Sequence, residues 1–327
     1  MRVDLEKLLG DRVPLGALPT PVHACDRFTD VALSLKRDDL IGDLVTGTKV
    51  RALAYILRQG QRDGVTDLIT LGEPTSNQCR LVAMLGARYG MATHILLRGS
   101  ACDDERDENL AIMRMHGAQL HILSESEWRL HGMAAKRLMN RVRKAGGRAR
   151  FLPFGCGGLP GALGVVDLVH ELLAQHDGDL PYSHIVIPSG SGATIFAFDI
   201  ALQLLAREAP TPALIGVSVA QDEPTLLARI DALYRRTSAA LGLELRRSDA
   251  LSIDARWREL TAAERIAEFA RVSRRYAVTP DPHYVLPAFL SVERLGEQRV
   301  SQRPAARALL LVSGACRTLA ALQRRTS

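Results

Sequence analysis

At 327 residues the chain is long for one small core, and either one large α/β domain or two lobes sharing a cleft is expected. Apolar residues make up 47% and charged residues 24%, no apolar run approaches a membrane span, and the N-terminus carries acids where a secretory signal would be apolar, so no membrane span is expected and the cytoplasm is. The formal charge of +6 comes from arginines interspersed with 36 acids, and only 5% of residues are aromatic, so no nucleic-acid partner is expected.

From residue 32 onward, apolar runs of strand length alternate with helical spacing. "ALSLKRDD" reads as a strand, 49–60 as a helix, "TDLITLG" as a strand, 76–90 as a helix and "ATHILLRG" as a strand. "ENLAIMRMHGA" (helix), "QLHILS" (strand), 127–145 (helix), "ARFLPF" (strand) and 160–176 (helix) follow. "HIVIPSG" and "ALIGVSVA" read as strands, each followed by a helix, and "ALLLVSGA" is a last strand before a final short helix. This is the β-α-β cadence of a parallel sheet, and "ILL", "IVI" and "LLLV" are apolar on both faces, as expected where helices cover both sides. Lobe divisions are expected near residue 46 and in the Gly- and Pro-rich stretch 151–164. Residues 222–262 begin as a helix and then lose any strand period, which reads as a surface excursion. No repeat or low-complexity tract is present.

Five cysteines are scattered with no C-x-x-C pair, so buried thiols are expected rather than disulfides or a metal knuckle. The basic residues are five lysines against thirty-seven arginines, which makes each lysine a choice to be explained. In "TGTKVRA", Lys49 falls at the first turn of a helix, where the positive end of the dipole disfavours a cation. That suits an amine for carbonyl chemistry, while the plain alternative is an exposed lysine near a cap.

In "ITLGEPTSNQCRLVAMLG", Ser76, Asn77 and Gln78 open a helix beyond a strand; a cap explains one of the three, and the trio suits a carboxylate or a cofactor ring. In "HIVIPSGSGATIFAF", the strand leads into Ser189, Gly190, Ser191, Gly192, Ala193 and Thr194 and then a helix. Hydroxyls and amides at a positive helix end fit a phosphate, without the lysine of a P-loop or the spacing of a dinucleotide fold. In "ALLLVSGACRTLAAL", Ser313 ends an apolar strand, either as a ligand contact or as a cap for the next helix.

Together these segments resemble the fold-type II pyridoxal-phosphate enzymes, within them the 1-aminocyclopropane-1-carboxylate deaminase and D-cysteine desulfhydrase family. The resemblance runs through "P-T-P" and "K-R-D-D-L" near the start, Gly47, Lys49, Arg51 and Leu53 of a G-N-K-x-R-K-L-E segment, and Ser76, Asn77, Gln78 and Arg80 of S-N-[QH]-x-R. It continues through the 189–194 loop, Asp281, Pro282 and Tyr284 of D-P-x-Y, and the closing strand. The resemblance implies a two-lobed, doubly wound α/β fold like the tryptophan synthase β subunit, with pyridoxal 5'-phosphate in the interlobe cleft. Residues 1–45 with 155–327 would form the larger, cofactor-binding lobe and 46–154 the smaller, substrate-side lobe. Lys49 would form the Schiff base with the cofactor and then move protons. Ser76, Asn77 and Gln78 would hold the substrate carboxylate and the ring, with Ser76 also acting on the substrate. Ser189, Gly190, Ser191, Gly192, Ala193 and Thr194 would hold the phosphate, and Tyr284 would serve the reacting carbon as acid, base or nucleophile partner. Ser313 would meet the pyridine nitrogen and leave it largely unprotonated, which suits β-elimination more than transamination. The activity implied is a lyase or deaminase acting on a small amino acid, most simply α,β-elimination to a 2-oxo acid and ammonia, in a homodimer.

The chain also departs from that family. Thr48 stands for an asparagine, Ala52, Leu53 and Ala54 for K-L-E, Val285 for Glu or Thr, and "SIDARWRELTAAE", with Trp257 and Arg258, for a loop bearing a second tyrosine. Ring opening of a cyclopropane is therefore not expected, and β-replacement, racemisation or a non-catalytic descendant are the alternatives.

Overall fold

The alternation of apolar runs with helical spacing becomes an alternation of strands and helices along the chain. The computed structural model describes residues 9–25, 31–99, 108–205, 211–298 and 306–314. In chain order these hold β1 (Val22–Cys25), β2 (Val31–Lys36), α1 (Lys49–Arg62), β3 (Asp67–Gly72), α2 (Asn77–Arg88), β4 (Ala92–Arg98), α3 (Glu108–Met115), β5 (Gln119–Leu123), α4 (Glu125–Arg129) and α5 (His131–Lys144). β6 (Ala149–Leu152), α6 (Leu159–Ala174), β7 (His184–Ser189), α7 (Ala193–Leu205), β8 (Ala213–Ser218), α8 (Glu223–Leu241), β9 (Leu251–Asp254), α9 (Ala262–Tyr276), α10 (Val285–Gln298) and β10 (Ala306–Leu311) follow. Two compact units divide them, Met1–Pro14 with Ala52–Gly161 and Leu15–Arg51 with Ala162–Ser327. The breaks fall at 51/52 and 161/162, where the resemblance implied 45/46 and 154/155, and the stretch to Pro14 goes with the smaller unit.

The smaller unit is built on four parallel strands in the order β5-β4-β3-β6. Successive side chains of a strand point to opposite faces, and β4 shows the result. Ile95 and Leu97 pack with Cys79 and Ala83 of α2 and Leu110 and Met113 of α3. Leu96 joins Ile69 and Leu71 of β3 and Ala135 and Leu138 of α5. Helices thus cover both faces, which is why Ile95, Leu96 and Leu97 run apolar in succession.

The larger unit carries six strands in the order β1-β2-β10-β7-β8-β9, parallel except for β1, which pairs antiparallel with β2. Leu33 and Leu35 of β2, Val186 of β7, Val217 of β8 and Leu310 of β10 share a core with Phe269 and Val272 of α9 and Leu286 and Phe289 of α10.

Three expectations are corrected. The alternation read from the sequence begins at residue 32 and so omits β1, a four-residue edge strand with two exposed positions. The single helix expected over 127–145 is two: a Ser124–Glu127 capping box starts α4, and Leu130 both ends it and opens α5. Residues 222–262 are not simply a surface excursion. Asp222 caps the 19-residue α8, Gly242 ends it in the left-handed region, β9 extends the sheet, and Trp257 is buried in the core. β9 was illegible because its four residues hold only two apolar side chains, Leu251 and Ile253, beside an exposed Ser252 and a buried Asp254. The final helix after Ser313, with Cys102 and Cys316, lies outside the described residues. Cys79 and Cys156 are buried and Cys25 is half-buried, and none of the three is in a disulfide. Among the described residues no helix is long and apolar enough to cross a membrane.

Candidate active site

In the larger unit the predicted residues gather at the carboxyl ends of parallel strands, the edge where open α/β sheets place ligands. β7 ends at Ser189, and the chain turns through Gly190–Gly192 into α7. Gly192 has φ +82°, and a Cβ there would stand 2.7 Å from Ile230 Cγ1, so this turn requires glycine. Ser191 Oγ accepts from the Ala193 amide at 3.4 Å, an ordinary local contact. Ser189 differs: it is buried, and its Oγ has no hydrogen-bond partner among the described residues. A buried hydroxyl left unpaired is costly and rare, so its natural partner is a ligand. With Thr194 in the first turn of α7, the loop presents hydroxyls and amides at a positive helix end, the donor set of an anion site.

Lys49 opens α1, half-buried, with Nζ 5.4 Å from the centroid of the Tyr284 ring. Tyr284 is set by its own turn. The Asp281 carboxylate accepts the amides of His283 (3.0 Å) and Tyr284 (2.7 Å), and its carbonyl those of Val285 and Leu286, which starts α10 immediately after the tyrosine. The same ring lies against the turn after β7, where a Cβ on Gly190 would stand 3.1 Å from Tyr284 Cε1 and 3.2 Å from its hydroxyl. Glycine at 190 therefore makes room for the phenol, a function the phosphate-loop reading did not assign to it.

Ser313 lies two residues beyond β10, and its carbonyl accepts the Thr48 amide at 3.2 Å. A Cβ on Gly47, at φ +95°, would stand 2.5 Å from that carbonyl. Thr48 is also buried with its hydroxyl unpartnered among the described residues; the first amides of α1 go instead to the Gly47 and Thr48 carbonyls, so this threonine does not cap the helix with its side chain.

Ser76, Asn77 and Gln78 belong to the smaller unit and form a second group there. Ser76 is the N-cap of α2, its hydroxyl accepting the Cys79 amide at 3.3 Å. Gly72, at the end of β3, lets this helix start come close, since a Cβ would stand 2.9 Å from Ser76 Oγ and 2.8 Å from Cys79 Sγ. The half-buried Asn77 receives a bond from Asn109 Nδ2 at 3.2 Å, and Asn109 also donates to the Thr75 carbonyl at 2.7 Å. The predicted substrate role of Gln78 meets an obstacle. Its amide nitrogen donates to Thr70 Oγ1 (3.0 Å) and the Pro153 carbonyl (2.8 Å), and its oxygen accepts the Gly155 amide (2.7 Å). That side chain fastens the turn after β6, which leaves Ser76 and Asn77 as the polar groups open to a ligand. Burial pushes the Cys79 thiol up to about 12, against the pull of its Ser76 contact, so no thiolate nucleophile sits here. Asn109 and the Gly190 contact had no sequence signal of their own, because each works through a neighbour far away in the chain, whereas Asp281 was marked by its motif and acts on the amides just after it.

The family described as pyridoxal-phosphate dependent enzyme matches residues 13–281. A curated relative from Arabidopsis thaliana, a bifunctional D-cysteine desulfhydrase/1-aminocyclopropane-1-carboxylate deaminase described as mitochondrial, is 30% identical over 207 residues, 60% of this chain and 52% of its own length. The chain thus spans about half the length of this curated relative in the match. Among solved structures, an ACC deaminase homologue superposes with a TM-score of 0.81 at 23% identity over 96% of this chain and 95% of that one. An L-serine ammonia-lyase from Rhizomucor miehei gives 0.67 at 15% over 95% and 98%, and a hydrogen sulfide-producing enzyme from Fusobacterium nucleatum 0.64 at 12% over 94% and 97%. These likenesses are of fold. The chain belongs to the pyridoxal-phosphate dependent enzyme family.

Proposed function

We propose that this chain is a lyase acting on a small amino acid, releasing a 2-oxo acid and ammonia by α,β-elimination. The observation that carries the reading is the Lys49 amine held over the Tyr284 ring at 5.4 Å: a proton-moving amine and a phenol in one place, beside a turn with an unpaired buried hydroxyl. Pyridoxal phosphate, when bound, supplies an electron sink for the α-carbon of an amino acid. Ser189, Ser191, Gly192, Ala193 and Thr194 would hold its phosphate, Ser313 would face its ring nitrogen, and Ser76 and Asn77 would orient the substrate carboxylate and the ring. Lys49 would attach the cofactor and carry the α-proton, and the Tyr284 phenol would hand a proton to the leaving group at the β-carbon. The segment "SIDARWRELTAAE" carries no tyrosine where the resemblance implies a loop with a second phenol, so the reading favours elimination over ring opening. The homologue carrying both desulfhydrase and deaminase in its name supports the substrate class. A homodimer in the cytoplasm completes the proposal.

A panel of D- and L-amino acids tests it. Formation of a 2-oxo acid and ammonia in equal amounts from a β-substituted amino acid is expected from the loaded protein, together with loss of the visible absorbance band in Lys49→Ala. Exchange of the β-substituent without release of ammonia would replace elimination with β-replacement.

A further inference from the structure

The segment before and after Lys49 is gripped by a buried charge cluster that the proposed chemistry does not use. Asp38 stands in the short turn after β2, and Arg51 is two residues past Lys49; both side chains are fully buried. Arg51 donates to both oxygens of Asp38, from Nε at 3.2 and 3.0 Å and from Nη2 at 2.9 Å. It also donates to Glu171 from Nη1 at 3.0 Å and Nη2 at 2.9 Å, and to Thr20 Oγ1 at 3.0 Å. Thr20 donates in turn to Asp38 at 2.9 Å. Lys36 closes the cluster through Glu171, Gln175 and the Thr20 carbonyl. Two cations face two carboxylates, so the cluster is balanced in charge.

Its effect is geometric. The backbone carbonyl of Asp38 accepts the Gly47 amide at 3.1 Å, while its carboxylate holds Arg51, and the Thr48 amide is held by Ser313 at 3.2 Å. One residue therefore clasps the chain on both sides of Lys49, and only an arginine has enough donors in a rigid fork to reach Asp38, Glu171 and Thr20 together. We infer that Asp38 and Arg51 are positioning residues for Lys49, fixing the backbone from which its amine reaches over Tyr284. The inference rests on Lys49 being the amine that takes the cofactor.

Stopped-flow mixing of apoprotein with pyridoxal phosphate, followed by borohydride reduction and mass spectrometry of the Lys49 peptide, reads how fast the amine joins the cofactor. In Asp38→Asn and Arg51→Lys that rate is expected to fall on the order of a hundredfold, the cost of about an ångström of misplacement, and in the milder Thr20→Val by a smaller factor. Lys36→Met removes a member of the same cluster that touches neither Gly47 nor Arg51. It should lower Tm as much as Asp38→Asn while leaving the rate unchanged. Rates that simply follow Tm, with Lys36→Met slowed alongside the others, would overturn the positioning role and leave the cluster structural. A wild-type chain that takes no label at Lys49 would overturn the proposed function and this inference together. Normal labelling in wild type and in all variants would overturn the clasp alone.

Discussion

Two lysines in the larger unit occupy opposite kinds of surroundings. Lys36, at the end of β2, is fully buried, and its three N–H groups go to Glu171, Gln175 and the Thr20 carbonyl. Lys49 is half-buried, has an aromatic face 5.4 Å away, and makes no hydrogen bond or ion pair among the described residues. Burial pushes the Lys36 amine below its ordinary range, against the pull of Glu171 and Asp38. A shifted amine alone would therefore point to the wrong lysine. A reactive amine needs an open approach and a free lone pair, and Lys36 has neither because every donor is committed. The difference also explains why an arginine-rich chain keeps lysine at both places. At position 36 a compact ammonium fits a closed three-acceptor socket; at 49 the group must be able to give up a proton, which guanidinium does not do.

The contrast can be broken from either side. Lys49→Arg keeps the charge and removes the amine that can give up a proton, so turnover should fall by about four orders of magnitude or more with Tm nearly unchanged. Tyr284→Phe keeps the ring against Gly190 and removes the phenol; kcat should fall about a hundredfold to ten-thousandfold, with cofactor absorbance retained. Lys36→Met leaves Glu171 partly unpaired in the interior, so denaturant unfolding should show a loss of roughly 3–5 kcal/mol while kcat per folded molecule stays the same. Gly190→Ala presses a methyl onto Tyr284 at contacts of 3.1–3.2 Å and should reduce kcat by about tenfold, less than loss of the phenol itself. The smallest effect is on pH. Burial raises the Glu171 carboxyl, but Arg51 and Lys36 outweigh it and hold it below the ordinary 4.5. A carboxyl lowered in the folded state stabilises above its unfolded value, and that contribution is lost as pH falls through the folded one. Melting curves should therefore show stability dropping on acidification below about pH 4.5, with a shallower slope in Glu171→Gln.

Long apolar strands and their helices were legible because each carries its own periodicity. "HIVIPSG" predicts β7 (His184–Ser189), and the helix expected over 49–60 is Lys49–Arg62. What stayed hidden is short or relational. β1 and β9 have four residues each and exposed positions that interrupt any apolar run, and the break at Leu130 falls in a helix pattern whose nearest glycine, Gly132, lies inside the second helix. At the site, residue types that bear chemistry could be picked out one by one, but their engagements could not. Gln78 looked like a ligand contact, and the fold spends its amide on Thr70, Pro153 and Gly155. Arg51 looked like a match in a motif, and the fold ties it to Asp38 and Glu171. Which donors remain unpaired, as at Ser189 and Thr48, is a property of packing that no spacing encodes.

With only five lysines in the chain, one peptide map decides between them. Borohydride reduction of the loaded protein and mass spectrometry of its lysine-bearing peptides should place the cofactor on Lys49 alone, with Lys36 unlabelled. Label on any other lysine, or none at all, would contradict the account.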